Sequence, residues 1–282
     1  MKKVTLAGVP EHFNTPILLA LEDGAFAEQG IDLQFTTVKE GTGKMCQMLD
    51  SRETDLAILL TEGICKHILN GGEAKLVQWY TKTPLLWGVH VGYASKFQTE
   101  TDLKGTVAAI SRKGSGSELM SFVHATNMGW DETNLRFEIV HTIDGAVTAL
   151  TDGTADYFMW EQFMTQPLVD QKIFRRLGVC ASPWPCFVIA VNTKFAAENP
   201  TDLQTVLAVI NRYTSTFKNR PTAEADIANR FHLDLEQVRD WLQVTEWSQE
   251  QITLETLNKI QNQLVSFNII DKKGTFEDMV IS

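Results

Sequence analysis

Short strand-like runs alternate with helix-like runs along the first 192 residues, and this alternation limits the possible folds more than any other feature of the sequence. Residues 3–9, 31–38, 55–60 and 85–92 have strand patterns, with helical apolar spacing in the segments between them. The first of these helical patterns covers 15–29 and starts with Thr15 before Pro16, a favourable helix start. Such alternation predicts a mostly parallel sheet with helices on both faces.

A second series with the same plan starts near residue 100. Its strand patterns cover 103–111, 135–142, 155–161 and 174–182, again separated by helical patterns. After one more strand at 187–192 the chain is nearly all helical to residue 266. We therefore predict an α/β protein with two lobes that have a ligand cleft between them. Lobe one comprises 1–90 plus 187–282 and lobe two comprises 91–186, with two crossing strands as the hinge.

The charge and hydropathy of the chain exclude several functions. The formal net charge is −10, which argues against nucleic acid and anionic membranes as partners because both require a clustered basic surface. No run approaches the roughly 20 apolar residues of a membrane span, and the N-terminus lacks the apolar core of a secretory leader. We expect a soluble monomer, cytoplasmic as given, or periplasmic or extracellular if a leader has been removed.

The sequence contains no recognisable catalytic or metal-binding motif. Cys46, Cys65, Cys180 and Cys186 form no CxxC pair and are expected to be buried free thiols. The GTGK segment at 41–44 lacks the spacing and the Ser or Thr of a phosphate loop, and no G-x-S-x-G elbow occurs. We therefore predict no cofactor, no metal and no catalytic residue.

Ligands of open α/β sheets bind beyond the carboxyl ends of the strands. The residues that follow the predicted strands are polar, small or aromatic, a mixture suited to a small-molecule pocket. The predicted ligand-binding residues are His12, Phe13, Asn14, Gly41, Thr42, Thr61, Glu62, Trp87, Ser111, Gly114, Ser115, Gly116, Ser117, Thr142, Asp144, Trp160, Glu161 and Trp184.

Several of these residues have an alternative interpretation that is purely structural. The turn from Gly114 to Ser117 begins a helix, so it is either a cradle for a carboxylate, sulfonate or phosphate, or only a helix cap. The tryptophans either cover a ligand or pack in the core. Glu62 either faces the ligand or is a first-turn helix charge, and His12 and His141 either line the cleft or lie on the surface.

Four phrases of the sequence resemble a known family. They are LALEDGAFAEQGIDLQF, GTGKMCQMLDSRETDLAILLTEGI, DLKGTVAAISRKGSGSELM and AVTALTDGTADYFMWE. In this order, over about residues 1–195, they resemble type II periplasmic-binding proteins, and especially the substrate-binding proteins of ABC transporters for aliphatic sulfonates, taurine and the pyrimidine precursor of thiamine.

The resemblance implies two lobes that close by hinge motion on a small anionic or heteroaromatic ligand, with an ABC-type transporter as partner if the protein is exported. The pyrimidine-precursor synthases of eukaryotes share this fold but carry a cysteine cluster that this chain lacks. The first hypothesis is a non-enzymatic solute-binding protein. The alternatives are a cytosolic enzyme of thiamine-precursor or pyrimidine metabolism, using His12, His141 or Glu62 as acid or base, and a cytosolic sensor that reports ligand state to a partner.

Overall fold

The computed structural model describes residues 1–281, which divide into two compact units. Unit 1 comprises residues 1–83 together with 184–281, and unit 2 comprises residues 84–183. The boundaries fall at 83/84 and 183/184 and not at 90/91 and 186/187, because the strand predicted at 85–92 belongs to the sheet of unit 2.

Within residues 1–281, ten strands, numbered in chain order, form one five-stranded sheet in each unit. The strands are β1 (Lys2–Gly8), β2 (Ile31–Thr37), β3 (Leu56–Leu60), β4 (Ala74–Thr81), β5 (Leu86–Gly92), β6 (Val107–Ile110), β7 (Arg136–Ile139), β8 (Tyr157–Glu161), β9 (Phe174–Ala181) and β10 (Phe187–Asn192).

The α-helices of the described residues are also numbered in chain order. They are α1 (Thr15–Glu22), α2 (Thr42–Asp50), α3 (Thr61–Leu69), α4 (Gly116–Asn127), α5 (Ile143–Asp152), α6 (Gln166–Asp170), α7 (Thr193–Glu198), α8 (Pro200–Thr216), α9 (Ala223–Phe231), α10 (Leu235–Val244), α11 (Leu254–Ser266) and α12 (Phe276–Met279).

The two sheets have the same topology, which confirms the fold class predicted from the repeated plan. Unit 1 has the order β2-β1-β3-β10-β4, in which β1 is parallel to β2 and β3, whereas β10 is antiparallel to both of its neighbours. Unit 2 has the order β7-β6-β8-β5-β9, with β6 parallel to β7 and β8 and with β5 antiparallel to β8 and β9. Each sheet is therefore mixed, with one antiparallel strand that comes from elsewhere in the chain.

The apolar pattern of each strand matches its place in the sheet of unit 1. The central strands β3 (LAILL) and β10 (FVIAVN) are buried almost throughout, as expected for strands covered on both faces. The edge strand β2 (IDLQFTT) instead begins with alternating buried Ile31 and Leu33. The other edge, β4, is covered by the C-terminal segment, because the Trp79 and Lys82 N–H groups donate to the carbonyls of Glu250 and Glu246.

The helix predicted over 15–29 is shorter than expected. It ends at Glu22, and a separate 3-10 turn forms at Ala27–Gln29. Gly24 has a φ of +71°, a conformation that stops a helix and that glycine adopts at little cost. The apolar spacing continues past this break because Phe26 is also buried, which explains why periodicity alone overestimates the helix. Among residues 1–281, no helix has both the length and the apolar character to cross a membrane.

Candidate functional site

The carboxyl end of β1 leads into a compact polar turn in unit 1. A 3-10 turn covers His12–Asn14 and α1 follows directly, with Pro16 in its first turn. The Asn14 side-chain amide donates to the Val9 carbonyl at 2.8 Å, whereas its Oδ1 is buried without a hydrogen-bond partner. The turn therefore keeps one buried acceptor unused.

His12 and Phe13 lie in the aromatic core of unit 1. His12 is 0% exposed, stacks on Phe13 at 5.2 Å between ring centroids, and meets the edge of Trp241 at 4.1 Å. Both of its ring nitrogens lack a hydrogen-bond partner, and burial lowers the pKa of His12 to about 3. A histidine that stays neutral at neutral pH and packs among rings serves as a core residue, whereas the sequence predicted either a cleft-lining or a surface position.

Glu62 is held beside the segment in which the chain returns to unit 1. The Trp184 Nε1–H group donates to Glu62 Oε2 at 2.8 Å, and Thr61 Oγ1 donates to the Pro185 carbonyl at 2.6 Å. Burial raises the pKa of Glu62 to about 7, although hydrogen bonds from its own N–H group and from the indole oppose the shift. Trp184 is 2% exposed and packs edge-on against Phe267, so its ring does not form an open stacking wall.

Glu11 lies in the turn that follows β1 but is not among the predicted ligand-binding residues. One of its oxygens, Oε2, is buried without a partner, and burial raises the pKa of Glu11 to about 7. Burial, followed by the charges of Glu62 and Glu11, raises the pKa of the Cys186 thiol. The two carboxyl groups therefore belong to one electrostatic cluster in unit 1, which also includes Thr81, hydrogen-bonded to Cys186 at 3.0 Å.

Gly41 and Thr42 shape the start of α2. Gly41 has a φ of +77° and precedes the helix, and the Leu60 N–H group donates to Thr42 Oγ1 at 3.1 Å. A Cβ atom at Gly63 would lie 2.5 Å from the Thr42 methyl carbon, so the absence of a side chain there allows α2 and α3 to approach. Thr42 is thus a link between α2 and the end of β3.

In unit 2, the serines that follow β6 are buried and bonded to each other. Ser117 Oγ accepts from the Ser111 N–H group at 3.0 Å and lies 3.0 Å from Ser115 Oγ. Ser115 caps α4 by accepting from the Glu118 N–H group at 3.3 Å, and the Gly114 N–H group donates to the Glu118 carboxylate at 2.5 Å. The turn is therefore a helix cap in this state, and an anion would have to use the remaining amides at the start of α4, including that of Gly116.

The start of α5 lies beside this turn. The His141 N–H group donates to the Ser111 carbonyl at 3.1 Å, which joins the ends of β6 and β7. Thr142 caps α5 by accepting from the Gly145 N–H group at 3.1 Å, and His141, Thr142 and Asp144 are exposed. The structure thus brings two helix N-termini together at the carboxyl edge of one parallel strand pair.

The predicted aromatic residues of unit 2 divide into a core residue and a half-buried one. Trp87 on β5 is 5% exposed, and its ring lies edge-on to Trp160 at 6.4 Å. Trp160 is the penultimate residue of β8, and it is half-buried and stacked on Phe158 at 5.4 Å between ring centroids. Glu161 is buried and accepts from the Met164 N–H group at 2.7 Å. Of this group, Trp160 is the best placed to cover a ligand.

Comparison with known proteins supports the fold. Residues 87–180 match a family model described as Ca3427-like PBP. The solved structure of the CA3427 gene product of Candida albicans, which has the generic periplasmic binding protein fold, is 24% identical with a TM-score of 0.89, over 97% of this chain and 92% of that one. Comparison with curated protein sequences gives no match.

Two sulfonate-binding proteins also have this fold. The alkanesulfonate-binding protein SsuA of Xanthomonas axonopodis pv. citri, bound to MOPS, is 14% identical with a TM-score of 0.83, over 100% of this chain and 98% of that one. The periplasmic aliphatic sulphonate binding protein SsuA of Escherichia coli is 17% identical with a TM-score of 0.76, over 99% and 97%. The chain therefore has the fold of the periplasmic binding proteins.

Proposed function

We propose that the chain is a non-enzymatic solute-binding protein for a small ligand with an anionic group, of the sulfonate or heteroaromatic class. The observation that carries this proposal is the pair of adjacent helix N-termini in unit 2, at the ends of β6 and β7. The first amides of a helix have no partner within the helix, and the helix dipole favours negative charge there. Arg112 and Lys113 follow β6 and add positive charge to the same edge.

Unit 1, taken by itself, has acceptors suited to a hydrogen-bond donor. Glu11 and Asn14 each have a buried oxygen without a partner at the end of β1. A buried polar atom without a partner typically costs about 1–3 kcal/mol, so such atoms are expected where a ligand or water completes the bonding. An amine or ring N–H group of a ligand would complete the bonding of these two oxygens.

His12 and the cysteines are poorly suited to catalysis. His12 stays neutral at neutral pH because of its lowered pKa and packs within the core, so it is a poor general acid or base. Burial raises the pKa of Cys180 to about 11, and burial also raises the pKa of Cys65 and Cys186, which suppresses the nucleophilic thiolate form. We propose an ABC-type transporter as partner if the protein is exported.

A thermal-shift screen tests the proposal. The probes are MOPS, butanesulfonate, 2-methylpyrimidine and malonate, each titrated against the full-length chain. A probe at a hundredfold excess over its dissociation constant should stabilise the folded state by about 2.7 kcal/mol and raise the melting temperature. The sulfonates are expected to give the largest shifts, whereas the absence of a saturable shift with every probe would contradict the proposal.

Ser115→Ala separates the binding role of the turn from its capping role. Loss of an N-cap side chain should destabilise the protein by about 1 kcal/mol. Thr253→Ala is the matched control, because Thr253 caps α11 in unit 1 in the same way. Both variants should melt lower than the parent, but only Ser115→Ala should weaken the sulfonate-induced shift. Equal sulfonate shifts in the two variants would show that the turn is only a cap.

A further inference from the structure

A pocket at the opposite edge of the unit 2 sheet has features of a second binding site. Its volume is about 420 Å³, within the range of small-molecule sites. Gly105 lies shortly before β6 and Leu135 directly before β7, so the pocket is at the amino ends of these strands. The ligand-binding residues proposed above are at the carboxyl ends, roughly 13 Å away along a four-residue strand.

Three hydrogen-bonded turns build this pocket. Gly129, with a φ of +66°, ends α4, and the Trp130 N–H group donates to the Ala125 carbonyl at 2.8 Å, the bond that closes a Schellman motif. The second turn contains Gly105 and precedes β6, and the third covers 131–135 and precedes β7. The Arg136 guanidinium, at the start of β7, donates to the Gly105 carbonyl at 2.6 Å and so links these two turns. The walls are therefore fixed by backbone bonding, which lowers the ordering cost of binding a ligand there.

The indole of Trp130 provides a rigid aromatic wall. Trp130 is half-buried, and its ring meets the buried His124 ring edge-on at 5.2 Å between centroids. Leu135 adds a half-buried apolar surface to the lining. An aromatic side chain held in this way favours a planar ring, which stacks on it or meets it edge-on.

The charges of the lining favour an anion. Lys104 and Arg136 are exposed and, within residues 1–281, neither has a carboxylate within 4.0 Å. The third charged residue of the lining is Asp131. Its carboxylate accepts three hydrogen bonds within its own turn, from the Thr133 N–H group at 3.0 Å, the Thr133 hydroxyl at 2.7 Å and the Asn134 side-chain amide at 2.9 Å. Two cations and one carboxylate leave a local charge of about +1, which matches a monoanion.

We propose that the pocket formed by Lys104, Trp130, Asp131, Asn134, Leu135 and Arg136 is a second ligand site, for a planar aromatic monoanion such as an aromatic carboxylate or sulfonate. The ring lies against Trp130 and Leu135, and the acidic group lies between Lys104 and the guanidinium of Arg136. Planar, bidentate recognition of a carboxylate is the interaction to which arginine is best suited. The site is independent of the solute-binding role proposed above.

Titration with 1-naphthoate, followed by the indole N–H resonance of Trp130 in an NMR spectrum of the full chain, tests this proposal. We expect saturable shifts at Trp130 with a dissociation constant below about 1 mM. The neutral amide 1-naphthamide has the same ring and should bind at least about tenfold more weakly, because it lacks the charge that Lys104 and Arg136 recognise. Equal affinity of the acid and the amide, or no saturable shift at Trp130, would overturn the proposal.

A charge-matched pair of variants completes the test. Lys104→Gln with Arg136→Gln should weaken 1-naphthoate binding at Trp130 about tenfold or more. Lys96→Gln with Lys272→Gln removes the same net charge at exposed positions outside the pocket and should leave the affinity within about twofold. If both double variants bind equally well, the attraction is the general field of the protein and the pocket is not a built anion site.

Discussion

Glu62→Gln is expected to increase the free energy of unfolding at pH 8 by about 3 kcal/mol and to leave it almost unchanged at pH 4.5. Burial raises the pKa of Glu62 from 4.5 in the unfolded chain to about 7 in the folded one, so between these pH values the carboxyl group takes up a proton on folding. Its favourable contribution is therefore complete below about pH 4.5 and is lost as the pH rises through 7. Glutamine cannot ionise and still offers a carbonyl oxygen to the Trp184 indole.

Urea unfolding at pH 4.5, 6 and 8, monitored by tryptophan fluorescence, measures this difference. Glu28→Gln is the control, because Glu28 is exposed and should give nearly the same small effect at each pH. A difference between Glu62→Gln and the parent that does not grow with pH would contradict the assignment of a raised pKa. If the stability difference between Glu62→Gln and the parent grows with pH, the Glu62 carboxyl group lowers the stability of the protein at neutral pH. We propose that its role is then ligand recognition.

Gly145→Ala is expected to lower the free energy of unfolding by about 2–4 kcal/mol, combining overpacking with loss of an N-cap. A Cβ atom at Gly145 would lie 1.9 Å from the Val140 carbonyl oxygen, which is backbone and cannot move aside cheaply. The Gly145 N–H group also donates to the capping hydroxyl of Thr142, so displacement of this turn breaks the cap of α5. The variant should therefore also lower the affinity for any ligand bound at the start of α5.

Chemical denaturation of Gly145→Ala beside Thr148→Ala checks this prediction. Thr148 lies on the exposed side of the same helix, and its replacement should change stability by no more than about 0.5 kcal/mol. If the two variants were equally stable, the close approach of α5 to Val140 would not be a constraint on the fold.

The alternation of elements could be predicted because it depends on local patterns. The apolar run at β3 and the small-residue turn before α4 can each be identified without knowledge of the remaining chain, and the repeated plan predicts two similar sheets. The helix predicted over 15–29 was wrong beyond Glu22, since the left-handed conformation of Gly24 interrupts a pattern that its neighbours continue.

The candidate site could be predicted only in part, because its contacts join distant parts of the chain. Cys186 lies close enough to Glu62 to be affected by its charge because β10 is inserted beside β3, a pairing that periodicity does not encode. The same insertion places Trp184 on Glu62 and buries its ring, so this tryptophan packs in the core, the second of the two interpretations that the sequence left open. The position of Glu11 after β1 is evident from the sequence. No local pattern indicates that one of its oxygens is buried without a hydrogen-bond partner.

We propose that this chain binds a small anionic solute and does not convert it. The most direct test is an overnight incubation of the chain with a large molar excess of the most stabilising sulfonate probe, with binding and chemical identity both followed by proton NMR of the probe. Our account predicts one-to-one saturable binding and recovery of the probe unchanged after the protein is denatured. Conversion of the probe to a product in excess of the protein, or the absence of saturable binding, would contradict it.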